Sequence, residues 1–230
     1  LVMGLRFSMN EADHAIVSDA VSRAEANTDA EIVTIVARRS DAYHDAGLHW
    51  AILAAFLVLA LAAAFPHHYE GAIIWAMGGW ISSVPLQTLL LVLLGHMLLK
   101  FLAVRYLLAI PVLRMFFTPR STKARRVRRR AIDLFRTTAQ SRTERLTGVL
   151  LYLSLDEHRA EIVADEAITS KVSPEVWGDA LAALIDEAKE GRIAQGMARA
   201  IEKAGIVLAE ACPHDPEANP NELPDRLIEL

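Results

Sequence analysis

A single cysteine, Cys212, leaves this chain without an intramolecular disulfide or a thiol-based zinc cluster, which fits a reducing compartment. Residues 1–10 (LVMGLRFSMN) lack the long apolar core and small-residue cleavage site of a secretory signal. Translation is therefore expected to begin at Met3 or Met9. Charge is missing from Leu48 to Phe65 (LHWAILAAFLVLALAAAF) and again from Gly71 to Leu99. Lys and Arg are also missing from the intervening Pro66–Gly71 (PHHYEG). No glycine-rich loop leads into a helix with a Lys-Ser/Thr pair, and no Asp-x-Asp occurs. Phosphoryl transfer needs a nucleophile, a phosphate cradle or a metal clamp, and the sequence displays none of them.

What is present begins with the two apolar stretches. Uncharged runs of about 18 residues or more are long enough to cross a bilayer as helices. The first crossing is expected near 48–65 and the second near 84–104. Between them, 71–83 carries Gly78-Gly79, Ser82-Ser83 and the tryptophans Trp75 and Trp80, and reads as an interfacial segment. A third crossing at 101–117 would bury Arg105 and Arg114, at about 2.5–3.5 kcal/mol each. Residues 105–122 are therefore read as a basic linker at the membrane interface. Arg38 and Arg39 precede the first run, and a dense set of Lys and Arg follows the second. The positive-inside rule then predicts an inner-membrane protein with two spans and both polar segments in the cytoplasm.

Those polar segments, 5–45 and 123–212, read as one domain. Residues 10–27 have the apolar periodicity of a helix capped by Asn10, and Ile32–Ala37 reads as a strand buried on both faces. A basic helix is expected over 123–142, strands at 148–155 and 159–164 joined as a hairpin, and helices at 174–190 and 193–209. Strands interleaved with helices give an α/β class: a small mixed β-sheet flanked by helices and interrupted by a transmembrane helical hairpin. Ala-Glu-Ile-Val occurs at 30–33 and 160–163. It either places Glu31 and Glu161 at similar positions on neighbouring strands or recurs by chance. Residues 213–230 read as an extended acidic, proline-rich tail.

The soluble segments also carry a string of motifs. Leu146-Thr147-Gly148-Val149-Leu150-Leu151 is followed by Glu157-His158-Arg159-Ala160-Glu161-Ile162, then by Trp177 and the Gly191–Gly196 and Gly205 region. With Thr28-Asp29-Ala30-Glu31-Ile32-Val33 as a first strand, this string resembles the TPM-domain family. The closing Asn221-Glu222-Leu223-Pro224-Asp225 resembles the tail of a bacterial membrane-embedded branch, in which two spans interrupt the domain. The resemblance implies a TPM-like fold. Relatives in plants are associated with photosystem II repair and weak acid phosphatase activity, and some members bind calcium through acidic residues. After the last strand, site-bearing relatives have a glycine-rich turn and a Leu-Thr-Asp-type helix start. This chain instead reads Asp165-Glu166-Ala167-Ile168-Thr169-Ser170-Lys171-Val172.

Asp156, Glu157, Asp165 and Glu166 are the candidate oxygen ligands for Ca²⁺ or Mg²⁺, against the plainer reading of solvated acids at strand ends. No resident cofactor is expected otherwise. Lys123, Arg125, Arg126, Arg128, Arg129 and Arg130 follow a membrane segment, so anionic lipid headgroups suit them better than nucleic acid. His96 and Lys100 form either a proton-relay pair or a packed histidine beside a snorkelling lysine. His67, His68 and Glu70 are a weaker metal candidate. The reading is a non-enzymatic, membrane-anchored module that binds a membrane or cytoplasmic protein, or assists assembly or repair of a membrane complex. A homo-oligomer is compatible with it. The alternative is a divalent-metal-dependent phosphatase.

Overall fold

The computed structural model describes residues 8–138, 147–215 and 225–230. In chain order the elements are α1 (Glu11–Glu25), β1 (Glu31–Ala37), α2 (His44–Ala64), α3 (Pro66–Ala76), α4 (Leu86–Leu107), α5 (Pro111–Phe117) and α6 (Arg120–Thr138). After them come β2 (Gly148–Ser154), β3 (Arg159–Ala164), α7 (Glu166–Thr169), a 3-10 turn (Pro174–Trp177), α8 (Gly178–Lys189), α9 (Ile193–Ala211) and β4 (Ile228–Glu229). They form two compact units, 42–119 and the remainder.

The larger unit is a mixed sheet between helical layers. Its strand order is β3-β2-β1-β4, with β1 parallel to β2 and β4, and β2 antiparallel to β3. Every residue of β1 and β2 is buried, as expected for central strands covered on both faces. Because side chains alternate, Val33, Ile35, Ala37, Leu150 and Tyr152 face α6 through Val127, Ala131 and Phe135. Ile32, Val36, Val149, Leu151 and Leu153 share a core with α1, α8 and α9. At α1 the Asn10 side chain accepts from Asp13 N while the Asp13 carboxylate accepts from Asn10 N, closing a capping box. Gly205 lets α9 touch α1: a Cβ there would lie 2.9 Å from Ala24 Cβ.

Two expectations change. The Glu31 and Glu161 strands share the sheet but are not neighbours, because β2 lies between them. Glu31 pairs with Gly148 and Glu161 with Tyr152, so the repeated tetrapeptide does not place the two acids side by side. The C-terminal residues, read above as an extended tail, end as β4 against β1. Leu230 N donates to Val36 O, and Arg38 N donates to Leu230 O. Glu229 anchors this strand to α1 by accepting from Met9 N at 3.2 Å and meeting His14 Nε2 at 2.7 Å. Asn221–Pro224 and the last part of the 123–142 helix lie outside the described residues.

In the smaller unit, α2 and α4 pack along each other. Gly47, Ala51, Val58 and Ala62 make the buried stripe of α2, small side chains that let two helices approach closely. The chain between these two helices includes α3, with Glu70 accepting from Val84 N at 3.0 Å. Both long helices keep large apolar side chains exposed, among them Phe56 at 60% and Leu94 at 63%.

Candidate functional site

The candidate carboxylates do not converge. Asp156 and Glu157 lie in the β2–β3 turn, and Asp165 and Glu166 follow the far end of β3. A strand of that length separates its ends by roughly 20 Å. Among the described residues, no group of three or more His, Cys, Asp or Glu side chains could hold a metal ion.

Three of the four carboxylates hold protein donors instead. Asp156 pairs with Arg39 at 2.6 Å. Glu157, 6% exposed, accepts from Ser154 Oγ at 2.5 Å and from Ser40 N at 3.1 Å. Asp165 is 3% exposed and accepts from Gly148 N at 3.0 Å, while its own N–H donates to Gly148 O. Burial pushes the Asp165 carboxyl up from the usual range, against the lowering effect of the Gly148 N–H. Glu166 is exposed in the first turn of α7.

The motif residues thus fasten two ends of the sheet. At one end, Thr28 Oγ1 reaches Cys212 O at 2.6 Å and Leu208 O at 3.1 Å, adding a second donor to carbonyls at the end of α9 that already accept from Asp29 N and Cys212 N. Thr147 Oγ1 donates to Asp29 O, and Asp29 Oδ1 accepts from Asp215 N. At the opposite end, Ser40 Oγ meets Tyr152 Oη at 2.9 Å and donates to Ser154 Oγ at 2.8 Å. Burial raises the Tyr152 phenol, against the lowering effect of the two serines. This Ser40–Tyr152–Ser154–Glu157 cluster went unrecognised in the sequence. The Ser154–Glu157 spacing across a turn was its one local signal.

Another missed group is Glu25, at the end of α1. Its Oε1 accepts from Ile32 N at 2.7 Å. Burial, opposed by that hydrogen bond and reinforced by Glu31 and Asp225, pushes the carboxyl up to about 8.

The basic run divides by partner. Arg126 pairs with Asp41, and Arg128 reaches Glu161 at 3.3 Å. Burial drives the Glu161 carboxyl up against the pull of Arg128. Arg125, Arg129 and Arg130 are exposed on α6, and Lys123 is half-buried. In the smaller unit His96 stacks on Tyr69 at a 6.2 Å centroid distance, while Lys100, four residues along α4, is exposed. His67, His68 and Glu70 all belong to α3, with His68 edge-on to Phe65.

No curated protein matches this sequence. The family model described as the TPM domain matches residues 113–207. The fold is similar to the NMR structure of the BA42 protein from the psychrophilic bacterium Bizionia argentinensis. That likeness has 18% identity and a TM-score of 0.55, covering 98% of each chain. Residues 113–207 are thus similar to the TPM domain, and the sheet that holds their strands β2 and β3 is completed by β1 and β4 from outside the matched residues.

Proposed function

We propose that this chain is a membrane-anchored TPM module: a two-span hairpin in the inner membrane, with both parts of the domain in the cytoplasm, serving to bind a protein partner in assembly or repair of a membrane complex. The observation that carries the anchoring is the exposed apolar surface of α2 and α4. These helices have 21 and 22 residues, which at 1.5 Å per residue matches a hydrocarbon core of about 30 Å. An aqueous surface displaying Leu53, Phe56, Leu57, Leu91, Leu94 and Leu98 would aggregate. In lipid the same surface is solvated, and the helical backbone meets its own hydrogen-bonding needs.

The sheet supports placing both parts of the domain on one side. β1 precedes the insertion and β2 follows it, yet they are hydrogen-bonded neighbours, so the number of crossings between them is even. No Lys or Arg occurs from Ser40 to Leu99, whereas Arg38, Arg39 and the α6 run flank the insertion, which supports a cytoplasmic domain. Exposed Arg125, Arg129 and Arg130 would each contribute about 1 kcal/mol against an anionic leaflet.

Partner binding is favoured over phosphatase chemistry by the tethering of Asp156, Glu157 and Asp165 to donors within the domain. Anchoring is tested by single cysteines at Asp19, Gly71 and Glu210 in a Cys212→Ser background. An impermeant maleimide should label only position 71 in intact cells. Labelling of 19 and 210 from opposite sides would refute the topology. Hydrolysis of para-nitrophenyl phosphate by the purified full chain with Mg²⁺ or Ca²⁺, lost in both Asp165→Asn and Glu166→Gln, would put the phosphatase in its place.

A further inference from the structure

The outer edge of β3 is open, and its alternation can be fixed from two hydrogen bonds. Leu155 N donates to Ala37 O, so the odd-numbered residues of β2 bond to β1. Asp165 N donates to Gly148 O. In the ladder that follows, Leu150–Val163, Tyr152–Glu161 and Ser154–Arg159 are the hydrogen-bonded pairs. Ala160, Ile162 and Ala164 therefore turn their N–H and C=O groups outward. Among the described residues, none of these six groups has a hydrogen-bond partner.

This edge is recessed. A cavity of about 220 Å³ runs along it, lined by Ile162 and Val163, which belong to opposite faces of the sheet, and by Ile132, Val172, Pro174 and Trp177. A cavity touching both faces must straddle the edge. Its walls are α6 on one side and the 3-10 turn with the start of α8 on the other. β3 is half-buried along most of its length, unlike a strand standing free in solvent. Two such recessed edges cannot readily meet, which disfavours a second copy. A single extended segment fits between the walls.

The walls differ in chemistry. The α6 side carries Arg128, 66% exposed at its side chain, with Arg159 on the same sheet face and Glu161 as the acid between them. The other wall offers Val172, Pro174 and Trp177. We infer that the β3 edge is the partner-docking surface, and that it binds an extended peptide as a fifth strand, with acidic side chains toward Arg128 and Arg159 and alternating apolar ones toward Trp177. Backbone pairing supplies affinity and the two unlike walls supply selectivity. A segment of about five residues suffices to cover the strand.

This inference rests on the partner-binding reading, but its test is separate from that of membrane anchoring. The full chain in detergent micelles is titrated with an acetylated, amidated hexapeptide alternating valine and glutamate, and amide hydrogen exchange is followed. In the free chain the amides of Ala160, Ile162 and Ala164 should exchange fast and those of Glu161 and Val163 slowly. Bound peptide should slow the first set at least tenfold. N-methylation of the peptide residues that pair with β3 should abolish this, while methylation of the alternate set should leave it. Arg128→Glu should weaken binding at least fivefold and favour a valine–lysine peptide. Three results would overturn the inference: no slowing at millimolar peptide, slowing indifferent to the position of methylation, or slowing without peptide that grows with protein concentration. The last would mean that a second copy covers the edge. None of them would alter the maleimide pattern, so the anchored topology would stand.

Discussion

Replacing Glu25 by Gln should remove a large part of the alkaline instability of the domain. The Glu25 carboxyl sits at about 8 against an ordinary 4.5, chiefly through burial. A carboxyl held above its unfolded value contributes stability fully below pH 4.5, and that contribution is lost as pH rises through 8. Between pH 5 and pH 8 the loss comes to about 3 kcal/mol by proton linkage. Gln keeps an oxygen to accept from Ile32 N and presents an amide that can donate toward Asp225, so the local geometry has little reason to change. The assay is urea unfolding of the full chain in micelles, read from Trp177 fluorescence with Trp50, Trp75 and Trp80 replaced by Phe. Trp177 is 6% exposed and belongs to the larger unit. The wild-type chain should lose stability from pH 5 to pH 8 by about 3 kcal/mol more than Glu25→Gln. Parallel pH profiles for the two proteins would refute the reasoning, because Glu161 and Asp165 titrate in both.

Gly205→Ala gains about 1 kcal/mol of helix propensity but forces α9 off α1 at Ala24, so a net loss of up to about 2 kcal/mol is expected. Adding Ala24→Gly should recover the packing part, and a double-mutant cycle by urea unfolding measures it. Thr34 Oγ1 is buried without a partner among the described residues, so Thr34→Val should raise stability by about 1 kcal/mol or more in the same assay. Ser154→Ala removes one of the donors to the buried Glu157 carboxylate and should cost roughly 1–3 kcal/mol, with Tyr152 becoming more accessible to iodination. Gly47→Leu should loosen the hairpin, since a Cβ there already lies 3.5 Å from Leu108 Cβ. Faster hydrogen exchange in α2 and α4 in micelles would report it.

Much of this protein can be read from local pattern. The seven buried positions of β1, the apolar face of α1 with its Asn10 cap, the β2–β3 hairpin and the two long apolar helices each announce themselves within one stretch of chain. Each depends on the periodicity or polarity of adjacent residues. The recurrence of Ala-Glu-Ile-Val left two readings open, because tetrapeptide likeness carries no information on strand order. β4 was hidden because two strand residues at the end of a polar tail have no period of their own.

The sequence was sufficient for the α/β class, the interruption of the domain and the charge asymmetry around it, since those properties reside in composition and short-range spacing. The duties of the polar side chains came from the folded chain. Asp165 serves Gly148 N, Ser40 joins Tyr152 and Ser154 across more than 110 positions, and Glu25 is forced toward neutrality by burial. Whether a carboxylate is a free ligand or an internal fastener depends on which donors folding brings within about 3 Å, and those donors are distant in sequence.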